Sequence, residues 1–249
     1  MSKAIVVIFD FDWSLVNENT DTYIFDVLAP QLVPDLNRLR QEMQWTQLMD
    51  LMVKRMQVEF GITKHMVADC LRKIPYFQEM FAAARLAKER NAKLFIISDS
   101  NHFYINEILF EHGLDDLWTE IYTNLASFDY HDILSIAPYL DFSSGRRHSC
   151  CTCPVNMCKG DIMESVFANL GGRSESIEKV IYVGDGGGDF CPCKRLSEGD
   201  IICCREGWRL HKDLITSIAA DNSSIRALMV PWNNGIDVLQ AFDAHIPNI

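Results

Sequence analysis

The sequence predicts an α/β protein whose core is a doubly wound, mostly parallel sheet, interrupted early in the chain by an all-helical insert. Two observations lead to this fold class. Apolar, β-branched-rich runs at residues 4–8, 93–97 and 180–183 are continuous rather than alternating, which is typical of parallel strands buried on both faces. Between the first two runs, residues 12–92 show helical periodicity and no convincing strand.

The predicted elements alternate along most of the chain, as a parallel sheet with crossover helices requires. Predicted strands lie at residues 4–8, 93–97, 120–123, 180–183, 201–203 and 227–230. Predicted helices lie at residues 22–28, 35–43, 45–57, 63–72, 76–90 and 102–111, and a further one begins at Lys159. Pro34 and Pro75 punctuate the early helices, and residues 124–147, rich in Asp, Tyr, Ser and His, are expected to be irregular.

The early helical region predicts a second structural unit. We expect a small all-helical cap domain at residues 20–74, inserted into an α/β core that is formed by residues 1–19 and 75–249. The alternative is an ordinary helical subdomain that supplies no function.

Composition limits the possible partners. The 249 residues carry a formal net charge of −11, which argues against general nucleic-acid binding and favours small or cationic ligands. No stretch approaches the roughly 18 unbroken apolar residues of a membrane span. The first residues lead straight into a strand that ends in two aspartates, without the pattern of a signal peptide, so we expect a cytoplasmic protein with a small-molecule partner.

Asp10 and Asp12 follow the first predicted strand, at the end where open α/β sheets bind their ligands. In an extended D-x-D segment both side chains start on the same face. Carboxylates this close repel each other unless a cation lies between them or one is protonated. The pair therefore predicts Mg²⁺ held by oxygen ligands, with one carboxylate as nucleophile and the other as acid/base. The alternative is a strand that ends in an acidic turn.

Three later segments also place polar groups at strand ends or at a helix start. Ser98 and Asp99 follow the second strand, Lys159 opens a helix, and the segment GDGGGD at residues 184–189 follows the third. Each alone has an ordinary explanation as a helix cap, a solvated lysine or a turn. Taken together, the order DxD, Ser, Lys, GDxxxD resembles the four motifs of the haloacid dehalogenase superfamily of phosphohydrolases. The resemblance implies a Rossmann-like core and a helical cap that closes over the active site.

The first three motifs would then supply the groups for phosphoryl transfer through a covalent intermediate. Asp10 is expected to attack the phosphorus of a phosphate monoester, which gives an aspartyl-phosphate that water hydrolyses. Asp12 would protonate the leaving alkoxide and later deprotonate the water. Ser98 would donate a hydrogen bond to a phosphoryl oxygen, and Lys159 would balance the negative charge that builds up there.

The fourth motif completes an expected magnesium site. Mg²⁺ would lie between Asp10, the backbone carbonyl of Asp12, and Asp185, where it would neutralise the carboxylates so that an anionic substrate can approach. Asp189 would act from outside the ligand sphere by orienting a metal-bound water or Lys159.

Within the superfamily, the chain resembles the phosphoethanolamine/phosphocholine phosphatase family, which includes pyridoxal-phosphate phosphatase and plant relatives. The resemblance rests on residues 10–21, 97–101, 148–159 and 184–192. The third segment is the most specific, because a generic phosphatase has no reason to carry the sequence CCTCPVNMCK before its lysine. The resemblance implies that Asp21 and Asp99 contact the substrate. The alternative is that each of them caps the helix beside it.

The sequence departs from the family pattern at two places. Trp13-Ser14 replaces a small or polar residue followed by Thr, and Trp13 is expected to add bulk near the entrance. Gly188 replaces the asparagine that usually precedes the last aspartate of the fourth motif. Neither change affects the expected nucleophile, acid/base or lysine, so activity is still expected.

The function predicted from these motifs is that of a Mg²⁺-dependent phosphatase, a phosphoric monoester hydrolase. Its expected substrate is a small phosphorylated metabolite of the phosphoethanolamine, phosphocholine or pyridoxal phosphate class. Thiamine monophosphate and pyrophosphate also remain open. One alternative is a phosphotransferase or mutase of the same superfamily, in which a hydroxyl group replaces water at the aspartyl-phosphate. The other is a catalytically idle, zinc-binding scaffold.

Cysteines are concentrated late in the chain: eight of the nine fall between residues 150 and 204. His148, Cys150, Cys153 and Cys158 include a C-x₂-C spacing and could hold a structural Zn²⁺, and Cys191 or Cys193 could supply a ligand from another loop. The alternative is that these are free cysteines that pack as small hydrophobic residues.

Overall fold

The computed structural model describes residues 3–220 and 225–248. Its centre is a seven-stranded sheet in the order β4-β3-β2-β1-β5-β6-β7, and only the β3–β4 pair is antiparallel in the part of the chain described. The strands are β1 (Ala4–Phe9), β2 (Lys93–Asn101), β3 (Glu120–Phe128), β4 (Leu134–Ala137), β5 (Ile177–Gly184), β6 (Ile201–Arg205) and β7 (Leu228–Trp232). The predicted doubly wound, mostly parallel sheet is confirmed.

The described residues also form eleven α-helices, all of which follow β1 in the chain. They are α1 (Thr20–Leu28), α2 (Val33–Leu39), α3 (Trp45–Phe60), α4 (Lys64–Leu71), α5 (Gln78–Glu89), α6 (His102–Glu111), α7 (Lys159–Asn169), α8 (Arg173–Ser176), α9 (Phe190–Cys193), α10 (Arg209–Ala219) and α11 (Gly235–His245). None of them has the length and apolar character needed to cross a membrane. Helices α1–α4 fall within the predicted cap, and the division of the chain into core and cap stays a prediction.

Polar side chains at the helix starts explain where several of these helices begin. Asn19 accepts from the Thr22 N–H to cap α1, Thr63 caps α4, and Asn101 accepts from the Tyr104 N–H to cap α6. These side chains satisfy N–H groups that have no partner inside the helix. The helices after β1 and β2 are therefore capped by asparagines and not by Asp21 or Asp99.

Strand β1 lies in the middle of the sheet and is buried on both faces, as its continuous apolar sequence predicts. Val7 and Phe9 belong to the hydrophobic cluster on one side of the sheet, and Val6 and Ile8 belong to the cluster on the other side. Successive side chains of a strand point to opposite faces, so a strand between two layers of helices needs apolar residues at every position.

The prediction of an irregular segment at residues 124–147 is wrong for its first half. Strand β3 continues to Phe128, and β4 pairs with it as the second strand of an antiparallel hairpin. Asp129 closes the connection, because its carboxylate accepts hydrogen bonds from the N–H groups of His131 and Ile133. The sequence analysis therefore missed the second half of β3 and the whole of β4.

Helix α3 of the predicted cap packs against β4, the strand at the edge of the sheet. The Gln57 side chain donates to the Asp132 carbonyl at 2.9 Å and accepts from the Leu134 N–H at 2.8 Å. Asp50 accepts from the Ile136 N–H at 2.9 Å. These bonds satisfy edge groups that would otherwise be open to pairing with another chain.

We expect Gln57→Ala to lower the free energy of unfolding by about 1–3 kcal/mol, because it removes two hydrogen bonds and leaves the buried Leu134 N–H without a partner. Chemical denaturation would measure the change. Gln47→Ala is the control, since Gln47 lies exposed on the same helix. Equal stability of the two variants would contradict the role given to Gln57.

Candidate active site

The strands β2, β1 and β5 are neighbours at the centre of the sheet, and their carboxyl ends carry the predicted site residues. Asp10 follows β1, Ser98 and Asp99 lie in the last part of β2, and Asp185 follows β5. In the sheet, β2 and β3 lie on one side of β1, and β5 and β6 lie on the other side. The site therefore lies at the point where the strand order reverses, which is where sheets of this kind bind ligands.

Asp10 is buried and forms an ion pair with Lys159. Its Oδ2 lies 2.7 Å from the lysine Nζ, and its Oδ1 accepts from the Phe11 N–H at 2.6 Å. Burial and the nearby Asp189 carboxylate raise the pKa of Asp10 well above its usual value, although Lys159 opposes this. The environment therefore favours a cation beside the ionised Asp10.

The Asp12 carboxylate is turned towards the first turn of α1. It accepts hydrogen bonds from the Thr20 N–H at 3.1 Å and from the Thr20 hydroxyl at 3.2 Å, and that hydroxyl lies 2.7 Å from the Ser100 Oγ. Burial, followed by the Asp21 carboxylate, raises the pKa of Asp12 well above its usual value. A carboxyl group with a raised pKa is suited to carry a proton.

Asp189 holds Lys159 in position. Its Oδ1 accepts from Lys159 at 2.8 Å and from the Tyr182 hydroxyl at 2.7 Å, and its Oδ2 accepts from the backbone N–H groups of Asp185 and Gly186. These four bonds use the usual acceptor capacity of a carboxylate. Although burial opposes it, the ion pair with Lys159 lowers the pKa of Asp189, so this carboxylate is ionised and not available to a metal.

Gly184 allows Asp189 to approach the end of β5. A Cβ atom on Gly184 would lie 2.7 Å from the Asp189 Cγ, closer than side chains tolerate. The glycine before Asp185 is therefore required by packing at this point.

Carboxylate oxygens of Asp10, Asp185 and Asp189 lie within 4.8 Å of one another. Burial and the Asp189 carboxylate raise the pKa of Asp185 to about 7, and the Ser14 hydroxyl donates to its Oδ1 at 3.2 Å. Because Asp189 is already saturated with donors, Asp10 and Asp185 are the side chains whose oxygens fit a hard divalent cation. The Asp12 side chain is not part of this group, so a contribution from Asp12 would have to come from its backbone carbonyl.

Ser98 is fully buried at the end of β2. Its Oγ accepts from the Ser100 N–H at 3.1 Å, which leaves the Ser98 hydroxyl proton to donate to another group. The structure thus supplies a buried O–H donor on the strand next to Asp10.

A cavity of about 100 Å³ adjoins these groups. Trp45, Asp99, Asn156, Lys159 and Gly188 are among the residues that line it. Asp99 is therefore at the cavity wall, and its contact with substrate stays a prediction.

Asp21 is not among the residues that line this cavity, but it contacts Trp45, which is. Its carboxylate is buried and accepts from the Trp45 Nε1–H at 2.7 Å. Burial raises the pKa of Asp21 to about 7, although the hydrogen bond from Trp45 opposes this shift. Asp21 is thus in a position to orient Trp45, rather than to line the pocket itself.

The two departures from the family pattern have different surroundings. The Trp13 ring packs against Trp208 at 5.2 Å and below the Arg205 guanidinium, and it does not line the cavity. Its backbone adopts φ 58°, an uncommon conformation for a non-glycine residue. Gly188 lines the cavity, where a side chain would begin 3.6 Å from the Lys159 Cε.

Several residues of the site were missed by the sequence analysis. Thr20 and Ser100 support Asp12, and Tyr182 supports Asp189. Tyr182 had a detectable signal, since a tyrosine inside an otherwise aliphatic buried strand needs a partner for its hydroxyl. Thr20 and Trp45 had no such signal in the sequence, because their roles depend on how the helices after β1 pack on the core.

Four cysteines form a group at the edge of the site. Ligand atoms of Cys150, Cys153, Cys158 and Cys191 lie within 4.8 Å of one another. Cys191, which the sequence analysis named as a possible further ligand, joins the three predicted cysteines in this group. His148 lies in a separate group with Cys158 and Asp161, and its Nε2 lies 2.7 Å from the Pro154 carbonyl oxygen. A part for His148 in metal binding stays a prediction. Cys193 is buried in the hydrophobic core and does not join the group.

Comparison with known proteins gives related sequences along nearly the whole chain. The profile of the family described as putative phosphatases matches residues 5–246. A thiamine phosphate phosphatase-like protein from Arabidopsis thaliana is 36% identical over 231 residues, which cover 92% of this chain and 90% of the relative. Inorganic pyrophosphatase 1 from the same plant is 36% identical, with 91% of this chain and 74% of the relative covered. A pyridoxal phosphate phosphatase from Mus musculus is 28% identical, with 94% and 95% covered.

Solved structures share the fold at low sequence identity. A haloacid dehalogenase family hydrolase from Salmonella enterica is 15% identical with a TM-score of 0.60, covering 98% of this chain and 72% of that one. A substrate-bound phosphoserine phosphatase is also 15% identical, with a TM-score of 0.54 and coverage of 87% and 99%. The resemblance expected from the four motifs is confirmed: the chain belongs to the putative phosphatase family, and it shares its fold with the haloacid dehalogenase family hydrolase.

Proposed function

We propose that the protein is a Mg²⁺-dependent phosphomonoesterase that hydrolyses a small phosphorylated metabolite through an aspartyl-phosphate. The observation that carries the proposal is the buried contact of Asp10 with Lys159, next to Asp185, at the carboxyl ends of the central strands. It provides a carboxylate nucleophile and a fixed positive charge in one place.

The first half of the reaction is the attack of Asp10 on phosphorus. One carboxylate oxygen forms the new P–O bond while the bond to the leaving oxygen breaks, which leaves the phosphoryl group on Asp10. Lys159 balances the charge on the phosphoryl oxygens, and Asp189 keeps its ammonium group fixed. The Ser98 hydroxyl donates to a phosphoryl oxygen.

Asp12 transfers the protons. Its neutral carboxyl group donates a proton to the leaving alkoxide, and the resulting carboxylate removes a proton from the water that attacks the aspartyl-phosphate. Thr20 and Ser100 hold the side chain in place for both steps. The second half of the reaction releases inorganic phosphate and regenerates Asp10.

Asp10 and Asp185 would hold Mg²⁺, together with the backbone carbonyl of Asp12. The ion supplies charge neutralisation, which lets a carboxylate nucleophile and an anionic phosphate meet. Ser14 would orient Asp185 as a ligand through its hydrogen bond.

The cavity supports a short leaving group that is cationic or donates hydrogen bonds. Its volume of about 100 Å³ is below the roughly 300–1,000 Å³ typical of pockets for drug-sized ligands. Asp99 offers a carboxylate, and Trp45 offers an aromatic ring on which a cation can rest. The Asn156 Oδ1 is a buried acceptor with no partner among the described residues. An ammonium alcohol such as that of phosphoethanolamine or phosphocholine meets these groups.

The test is a panel of phosphate esters with the metal ion varied. The panel contains phosphoethanolamine, phosphocholine, pyridoxal phosphate, thiamine monophosphate and pyrophosphate, with and without acceptor alcohols. We expect phosphate release that requires Mg²⁺ and is inhibited by Ca²⁺, which takes more ligands at longer distances. Asp185→Ala should raise the Mg²⁺ concentration needed for half-maximal rate. Full activity in excess chelator would refute the metal requirement, and transfer to the acceptor alcohols would favour a phosphotransferase.

Asp99→Asn should lower kcat/KM for phosphoethanolamine up to about 5-fold, because Asp99 lines the cavity but is exposed, and an exposed contact between opposite charges contributes at most about 1 kcal/mol. Hydrolysis of a neutral aryl phosphate should change far less. Asp116→Asn is the control, since Asp116 is exposed and does not line the cavity. A parallel loss on both substrates would assign Asp99 to the structure of the site and not to recognition of the leaving group.

A further inference from the structure

Four cysteine sulfurs meet beside the site although they come from three segments of the chain. Cys150 and Cys153 lie in the loop before α7, Cys158 is the N-cap of α7, and Cys191 lies in the short helix α9. The Sγ atom of Cys191 lies 3.8 Å from that of Cys150 and 3.6 Å from that of Cys158. All four cysteines are free thiols.

We propose that Cys150, Cys153, Cys158 and Cys191 bind a structural Zn²⁺ ion. Four sulfurs bound tetrahedrally at about 2.3 Å from Zn²⁺ lie about 3.8 Å apart, and the separations of 3.8 Å between Cys150 and Cys191 and 3.6 Å between Cys158 and Cys191 match that spacing. A tetrahedral set of four thiolates selects zinc or iron, and a closed set without an open position is typical of structural zinc.

The surroundings of the sulfurs suit thiolate ligands. The Arg195 Nη2 donates to the Sγ atoms of Cys158 and Cys191 at 3.6 and 3.5 Å, and it is anchored by Asp161 at 2.7 Å. The Asp161 backbone N–H donates to the Cys158 Sγ at 3.4 Å. Donors to the sulfur atoms and a nearby guanidinium offset part of the negative charge of a four-thiolate site.

Packing as small hydrophobic residues does not explain this group. Cys193, Cys203 and Cys204 are buried among apolar side chains, as core cysteines usually are. In the four-cysteine group only Cys158 is buried, and the other three are partly exposed.

The chain also makes room for this group. A Cβ atom on Gly160 would lie 2.8 Å from the Cys191 Sγ and 2.6 Å from the Arg195 Nε, so the glycine after Lys159 permits the close approach of the two segments. A glycine at position 160 is therefore needed for α7 and α9 to bring Cys158 and Cys191 together.

The proposed zinc links two parts of the candidate active site. Cys158 directly precedes Lys159, and Cys191 follows Asp189 by two residues. A metal that joins them fixes the start of α7 relative to the loop after β5, and so supports the contact between Lys159 and Asp189. The four cysteines are in this sense positioning residues, and Cys153 also lines the cavity of the candidate active site.

The first test is the metal content of the purified full-length chain, measured by elemental analysis without any activity assay. We expect about one zinc per chain in the wild type. Cys150→Ser, Cys153→Ser, Cys158→Ser and Cys191→Ser should each reduce it below about one tenth. Cys151→Ser is the matched control, because Cys151 is exposed and lies outside the group, and it should retain the metal. His148→Ala should also retain it.

The second test replaces zinc by Co²⁺ in the wild-type chain. Its result does not depend on whether a serine variant folds. A four-thiolate site gives visible tetrahedral cobalt bands and a thiolate-to-metal band in the near ultraviolet, whereas cobalt at Asp10 and Asp185 gives no thiolate band. Absence of both zinc and the thiolate band in the wild type would overturn the proposal. Bound iron would overturn the choice of metal, and zinc lost from His148→Ala but kept in Cys191→Ser would overturn the ligand set.

Discussion

Asp10→Asn should abolish turnover and leave the fold intact. The amide has the shape of the carboxylate and can still accept from the Phe11 N–H, but it cannot form an aspartyl-phosphate. Lys159 retains its ion pair with Asp189 in this variant, so its ammonium group is not left buried without a partner. Residual kcat should be below about one per cent of wild type.

Steady-state kinetics and acid-quench labelling would measure this effect. The wild-type chain should trap a phosphoryl group after rapid quenching, and Asp10→Asn should trap none. Asp26→Asn serves as the control, since Asp26 is an exposed aspartate of α1. Circular dichroism would verify that both variants fold. Activity of Asp10→Asn above about one per cent would remove Asp10 from the role of nucleophile.

Asp12→Asn should be nearly as damaging for esters of poor leaving groups and much milder for activated aryl phosphates. An asparagine can still accept from the Thr20 N–H through its carbonyl oxygen, while its amide NH₂ group replaces the oxygen that accepts from the Thr20 hydroxyl. It cannot carry a proton to the leaving oxygen. Alkoxides need that proton, whereas aryl oxides leave without it.

A series of phosphate esters with graded leaving-group pKa would measure the effect. The logarithm of kcat/KM for Asp12→Asn should fall more steeply with leaving-group pKa than that of the wild type. Thr20→Val is an informative companion, because it removes the hydroxyl that contacts both Asp12 and Ser100. Equal damage at every leaving-group pKa would argue against acid catalysis by Asp12.

The central part of the fold could be predicted because its strands are marked by sequence. A strand covered on both faces needs apolar residues throughout, and β1, β2 and β5 carry such runs. The second half of β3 and the whole of β4 escaped prediction, since a strand pair at the edge of the sheet requires little apolar sequence. Part of its stability comes from Asp50 and Gln57 on a distant helix, and no local pattern records such a contact.

The group of four cysteines shows the same limit. C-x₂-C spacing marks Cys150 and Cys153, and Cys158 lies close to them in sequence, so three of the four sulfurs could be selected from the sequence. The sequence could not decide whether His148 or Cys191 is the fourth member of the group, because the choice depends on the path of the chain after β5. The structure brings Cys191 to the group from a segment more than thirty residues away.

The sequence by itself determined the fold class, the family, and the order of Asp10, Asp12, Ser98, Lys159 and Asp185 along the chain. These properties depend on side-chain type and spacing, which strands and tight turns translate directly into position.

Only the tertiary structure decided which groups support these residues. It showed that Asp189 accepts a hydrogen bond from Lys159 and that Asp12 accepts one from Thr20. It also showed that Asp21 accepts from Trp45 instead of capping a helix. The reason is physical: a buried polar group must find a partner, and the partner is whichever donor or acceptor the packing of remote segments brings within about 3 Å.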